Sequence, residues 1–238
     1  QPLHSKLAIE WFEQYLNKCK ETLNTQFEQY RISEALMTVY TGFRDEFSSW
    51  LLEIIKPGFE QPIDQTTYNK TIYLFEEMLQ LLHPFMPFIT EEIWQNLRER
   101  KDGESIMVSV MPSPGKYDDN FLNTFENMKE VIARIRTIRK QNNIAFKDVI
   151  SLRVKSNDRY PLQFESIICK MGNIQNVEMV SDTVKGAWSF ICDTVEYFIP
   201  AVGEVNTEEV RAKLQADLAY AQGFLVSVMK KLSNEKFV

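Results

Sequence analysis

The chain has 238 residues, 44% of them hydrophobic and 12% aromatic, with only 8 glycines and 9 prolines. That length suits one large domain or two modest ones, and the composition argues against a loop-rich or disordered chain. A formal charge of −6 speaks against a polyanion binder, but the charge is uneven: nine Lys/Arg against three acids between Lys129 and Arg159 leave that segment at +6 and the remainder at −12. Such asymmetry fits either a polyanion-binding face on an acidic body or a solvated basic helix.

No apolar run is long enough to span a bilayer and no charged-then-apolar leader opens the chain, so a cytoplasmic protein with no membrane contact is expected. The opening QPLHSKLAIEW already reads as the approach to a helix, which suggests a piece of a longer protein. Cys19, Cys169 and Cys192 lie far apart with no CxxC pair. All three are expected as buried free thiols, with no zinc or disulfide framework.

In chain order, Ile9, Phe12, Leu16, Cys19 and Leu23 form a first helical stripe. Leu36, Val39, Phe43, Phe47, Trp50 and Ile54 form a second, stopped by Lys56-Pro57-Gly58. Tyr68, Ile72, Phe75, Leu79 and Leu82 form a third that ends before His83-Pro84; Ile89, Ile93, Trp94 and Leu97 mark a shorter fourth. At this corner Pro84 ends one helix, Pro87 opens the next, and His83 is expected to cap the carbonyls between them, with Phe85, Met86 and Phe88 mostly in the core. Residues 101–120 read as a linker with a short extended run at Ile106–Val110. A fifth helix carries Phe125, Met128, Ile132, Ile135 and Ile138.

Five amphipathic helices with mostly short joints predict a helical bundle over 1–145. The period then changes. Ile150, Leu152 and Val154 alternate with polar residues as in a strand, and Phe164, Ile167, Ile168 and Met171 make a short helix that Gly172 can end. Val177 and Met179 suggest another strand, and GAWSFICDTVEYFIPA reads as a hairpin turning near Asp193-Thr194. Residues 146–205 are therefore expected as a small α+β junction. Over 206–238, Asn206 with Glu209 makes a capping box, and Leu214, Leu218, Ala221, Leu225, Val228 and Leu232 keep a heptad rhythm. That narrow seam predicts the first arm of a coiled coil. The expected class is mostly α.

Catalytic signatures are missing: the chain holds no GxGxxG, GxxxxGK[ST], HExxH or GxSxG, and its only histidines are His4 and His83. The pairs Glu76-Glu77 and Glu91-Glu92 read as ordinary helix residues. In VIARIRTIRKQNN the isoleucines turn inward, leaving Arg136, Arg139 and Lys140 on another face at i, i+3, i+4 spacing. That stripe suits phosphates or simply water.

Several stretches carry a resemblance. LLHPFMPFITEEIWQNL, from 81 to 97, closely resembles the helix corner of the anticodon-binding bundle in class I aminoacyl-tRNA synthetases of the valine/isoleucine/leucine group. FRDEFSSWLLEIIKP resembles that family's F-x-D-W-Y-x-E-x-x-K-P helix end, with Ser49 in place of the usual Asp and Leu51 in place of Tyr. IARIRTIRKQNNI resembles its later IRxxR helix. The tail EVNTEEVRAKLQADLAYAQGFLVSVMKKLSNEKFV is similar to the start of the coiled-coil arm of the valyl members, including KLSNxxFV.

The resemblance implies a non-catalytic anticodon-binding region, with valine activation by ATP and transfer to tRNA belonging to the full enzyme. No cofactor is expected in this chain itself. KKLSN at 230–234 only superficially matches the KMSKS signature, since it ends a heptad helix, and no HIGH-like motif is present. The implied partners are the anticodon stem-loop of tRNA(Val), the enzyme's own catalytic domain and a second coiled-coil arm. Expected phosphate contacts are Arg134, Arg136, Arg139 and Lys140. Expected base contacts are Gln14, Asn17 and Lys18 on the solvent face of the first helix, with His83 and Phe85 at the corner. The alternatives are the same region of an isoleucyl or leucyl enzyme, or a helical protein–protein module.

Overall fold

A computed structural model of the chain describes residues 1–201 and 207–232. Its first half is α1 (Leu3–Glu28), α2 (Ile32–Thr41), a π-helical segment (Gly42–Leu51), α3 (Leu52–Ile55), α4 (Gln65–Leu82), α5 (Pro87–Leu97) and α6 (Asp119–Gln141). Helix α1 forms the axis of the bundle, burying Ala8, Ile9, Trp11, Phe12, Leu16, Cys19 and Leu23. It runs antiparallel to α6, with Trp11 stacked on Phe125 at 3.9 Å and Lys18 beside Asp119. It runs parallel to α4, where Lys20 meets Glu77 and Glu13 meets Lys70.

The second stripe was expected as one α-helix, but its middle is wound as a π-helix. Val39, Phe43, Phe47, Leu51 and Ile55 recur every four residues, a spacing that drifts around a helix of 3.6 residues per turn. The wider turn takes up that drift and keeps the row facing α1 and α4, where Phe47 packs on Phe12 and Phe75. Ser48 and Ser49 donate their hydroxyls to the carbonyls five residues back, Phe43 and Arg44. Gly42 is needed for packing: a Cβ there would lie 3.1 Å from the Tyr15 hydroxyl.

Helix α4 opens on Asp64, whose carboxylate accepts the Thr67 N–H at 3.0 Å. Its buried row is Thr67, Leu74, Met78 and Leu81, with Leu79 turned towards α5, so the expected stripe is displaced and Tyr68 is exposed. Phe88, expected in the core, is 90% exposed, and Met86 and Ile89 are also largely in water. The first turn of α5 overhangs the corner, so only from Thr90 and Trp94 does the helix reach its neighbours. The expected extended run at Ile106–Val110 is a 3₁₀ turn over Ile106–Val108. Among the described residues no strand pairs with it; the Glu91 carboxylate accepts the Ser105 hydroxyl and the Ile106 N–H, and Ser105 caps Met107.

Strands β1 (Ile150–Lys155), β2 (Ile174–Val180), β3 (Ala187–Cys192) and β4 (Val195–Pro200) make one sheet in the order β2-β1-β4-β3. β1 and β2 are parallel, joined through α7 (Glu165–Gly172), and β4 is antiparallel to both β1 and β3. The hairpin turns at Asp193-Thr194 as the sequence predicts, with φ of 42° and 67°. Gly172 is the last residue of α7, and the left-handed cap is Asn173 at φ 50°. A Cβ on Gly172 would stand 2.8 Å from the Ile174 side chain. The main core runs from α1 through α6 and α7 into β1 and β4, and Leu79, Trp94 and Ile106 form a smaller second cluster between α4, α5 and the 3₁₀ turn.

Helix α8 (Thr207–Leu232) shows Leu218 and Leu225 to solvent, as an unpartnered heptad seam would. Asn206 and the KLSN segment beyond Leu232 lie outside the described residues. Cys19 and Cys192 are buried, and burial pushes their thiols up to about 11 and about 12; Cys169, expected to be buried, is only half-buried. Among the described residues no helix is long and apolar enough to cross a membrane, and no His/Cys/Asp/Glu cluster could hold a metal.

Candidate nucleic-acid interface

The expected residues fall into three places. Gln14, Asn17 and Lys18 were expected on an open face of α1, but the segment leading into α6 lies across it. Asp118 N–H donates to Gln14 Oε1 at 2.8 Å, Gly115 N–H to Asn17 Oδ1 at 3.1 Å, and Asn17 Nδ2 to the Lys116 carbonyl at 3.2 Å. Lys18 pairs with Asp119 at 2.6 Å. A linker without secondary structure has backbone groups to satisfy, and the amides of α1 satisfy them. A Cβ on Gly115 would be 2.9 Å from Asn17 Nδ2, so a larger residue there would push the Asn17 amide out of place.

At the corner, His83 does not cap carbonyls with its side chain. Its backbone N–H continues α4 to Leu79 O, and its Nδ1 lies 2.7 Å from Thr90 Oγ1. The Thr90 hydroxyl donates to Met86 O at 2.8 Å, so it accepts from His83, which fixes the Nδ1–H tautomer. Nε2 is buried without a partner. Phe85 is half-buried and stacks on Phe27, ring centroids 6.1 Å apart, at the end of α1. Both corner residues thus hold α4, α5 and α1 together.

The third place is the end of α6, where the basic stripe splits. Arg134 pairs with Glu130 at 3.2 Å on the exposed surface. Arg136 lies 5.8 Å from the Trp50 ring and Lys140 is exposed; among the described residues neither has a carboxylate partner. Arg139, expected on the same open face, is only 4% exposed. It donates to the carbonyls of Ala145 and Asp148, both at 2.9 Å, and to those of Gly172 and Asn173 at 2.9 and 3.1 Å. Burial lowers its guanidinium pKa, partly offset by the Asp148 charge. The helix is followed at once by the loop to β1, and the arginine turns inward to donate to carbonyls of that loop and of the end of α7.

Elsewhere the exposed cations are mostly neutralised. Arg31, Arg44, Lys56, Lys70, Arg98, Arg153, Lys155 and Arg159 each meet a carboxylate. Arg136 and Lys140, and Lys147 in the following loop, make no ion pair among the described residues, which is also true of the scattered Lys6, Lys101, Lys116 and Lys185. Arg136 and Lys140 stand one turn apart on α6, and two such cations on one face of an acidic chain are what a polyanion can use. Lys147 and its neighbour Phe146 were not expected as contacts. Their signal was present in the sequence, an aromatic-basic pair just beyond a basic helix, but its placement depends on Arg139.

A family model for the anticodon-binding domain of tRNA ligases matches residues 10–154. The chain is 51% identical, over all of its 238 residues, to a valine–tRNA ligase of Phocaeicola vulgatus, and 48% identical over the same span to one of Parabacteroides distasonis. It is also 31% identical to the Enterococcus faecalis valine–tRNA ligase over 98% of the chain. In each case it spans 27% of the relative's length. The chain belongs to the anticodon-binding domain family of tRNA ligases.

Proposed function

We propose that the chain is the anticodon-binding part of a cytoplasmic valine–tRNA ligase and grips the anticodon stem-loop of tRNA(Val). In that reading it holds the tRNA so that the acceptor end reaches a catalytic domain elsewhere in the enzyme, where valine is activated with ATP. The exposed seam of α8 is one arm of a coiled coil that closes with a second arm. The observation that carries the reading is the unpaired set Arg136, Lys140 and Lys147 at the end of α6, on a family match that covers this helix. Phosphates supply sequence-independent affinity through such cations, with release of counterions. Arg134 adds to the set when it leaves Glu130, an exposed pair of low cost to break. Arg139 acts from beneath the surface.

The test is a titration of tRNA(Val) against the chain over a range of salt. Replacing Arg136 and Lys140 together by alanine should lower affinity about tenfold at low salt and reduce the slope of log K against log salt by about 2. Equal binding by parent and variant would remove the phosphate assignment. Competition among valine, isoleucine and leucine tRNAs separates the valine reading from its siblings.

A further inference from the structure

We propose that the loop between α6 and β1 is a single-stranded-RNA contact in which Phe146 offers its ring to an unpaired base, beside Lys140 and Lys147, with Arg139 as the positioning residue. This rests on the tRNA-binding reading and adds to it a base contact and the residue that sets it.

Phe146 is 59% exposed, yet its backbone is pinned on every side. The Phe146 carbonyl accepts from Asn173 Nδ2 at 2.7 Å, and Arg139 holds the carbonyls of Ala145 and Asp148 on either side of it. Ile144 N–H returns to Arg139 O at 2.9 Å, and Asp148 N–H to Ala145 O at 3.0 Å. The turn also uses Asn143 in the left-handed region, φ 54°. A loop this fixed presents its aromatic ring without further loss of backbone freedom, which is how a binding element gains affinity.

An exposed aromatic alone needs no explanation; the charges around it do. Arg139 is buried with four carbonyl oxygens as its acceptors, its Nε without a partner, and its Cζ 5.8 Å from the Phe146 ring. Among the described residues no carboxylate contacts it, so its charge stands under the loop, offset only at longer range by Asp148. Lys140 and Lys147 add two unpaired ammonium groups. The acid of the loop, Asp148, makes no ion pair among the described residues. A flat apolar ring with the Arg139 guanidinium 5.8 Å away, next in the chain to Lys147, is complementary to a base with its phosphates. Bases of every kind stack on such a ring, and single-stranded loops are where proteins reach them. An apolar protein partner for the ring would leave those cations without counter-charges.

The experiment measures binding of the full chain to an anticodon stem-loop RNA and to the same stem-loop with abasic loop nucleotides. F146A should weaken binding of the intact loop about tenfold, leave the abasic RNA and the salt slope unchanged, and be rescued by F146W. R139K should lower the intact-over-abasic preference, and its effect should not add to that of F146A, because both remove one contact. If F146A binds the intact loop as the parent does, or weakens both RNAs equally, the stacking assignment is overturned although the tRNA reading stands. If the parent binds neither RNA, the tRNA reading fails and takes this inference with it.

Discussion

At the scale of the residue, His83 shows how a side chain can sit in a signature and still serve packing. Its Nδ1–H closes a chain from His83 through the Thr90 hydroxyl to the Met86 carbonyl, tying the end of α4 to the first turn of α5. Removing the ring deletes a half-buried hydrogen bond and packing around it, together about 1–2 kcal/mol. His83→Ala should therefore lower the unfolding free energy read from a urea titration by that amount while changing tRNA affinity less than twofold. Unchanged unfolding with lost binding would give the imidazole to the RNA instead. The sequence placed His83 at a helix corner correctly, but which atoms it meets depends on how far α5 folds back, which two prolines alone do not fix.

At the scale of the element, the β3–β4 hairpin carries a strain that can be relieved. Asp193 and Thr194 both occupy positive φ, 42° and 67°, and the second is β-branched. A left-handed non-glycine residue costs about 1–2 kcal/mol, of which glycine recovers part after its own entropy loss. Asn157 donates to the backbone carbonyl of Thr194 at 3.3 Å, a contact any residue there keeps. Thr194→Gly should thus stabilise the chain by about 0.5–1 kcal/mol, read by thermal unfolding. A loss of stability would mean that the hydroxyl or methyl of Thr194 matters more than its backbone. The turn itself was legible from alternation on both sides of Asp193-Thr194, as were α1 and α6 from their apolar stripes. The π-helical segment was not, since a row of apolar residues at four-residue steps reads as an ordinary helix until its neighbours fix which side must stay buried.

At the scale of the whole molecule, the bundle and the sheet unit are joined by shared core and by Lys170. Its ammonium donates to the carbonyls of Ile54 and Lys56 at 2.6 and 2.7 Å and lies 3.0 Å from His4 Nε2. That contact needs His4 neutral. Desolvation first, then the Lys170 charge, lowers the His4 pKa below its ordinary value of 6.5. The unfolded chain then binds the proton more readily than the folded one, so this contribution is complete above about pH 6.5 and declines as pH falls below it. Lowering pH from about 7.5 to about 5.5 should reduce the melting temperature of the parent more than that of His4→Gln, compared at equal ionic strength. Equal slopes would remove His4 from the joint.

The sequence by itself determined the mostly helical class, the order of helices and strands, the unpartnered heptad and the resemblance to an anticodon-binding bundle. Each depends on residues near one another in the chain: period, proline position and short motifs. It left the site half-drawn for a physical reason. Gln14, Asn17 and Arg139 are polar residues on helices, and nothing local separates a side chain that faces water from one that satisfies a distant carbonyl or amide. Only the tertiary structure decided that the first two anchor the 115–118 segment. It alone turned Arg139 inward onto carbonyls 6 to 34 residues further along the chain. In doing so it left Arg136, Lys140, Phe146 and Lys147 at the surface.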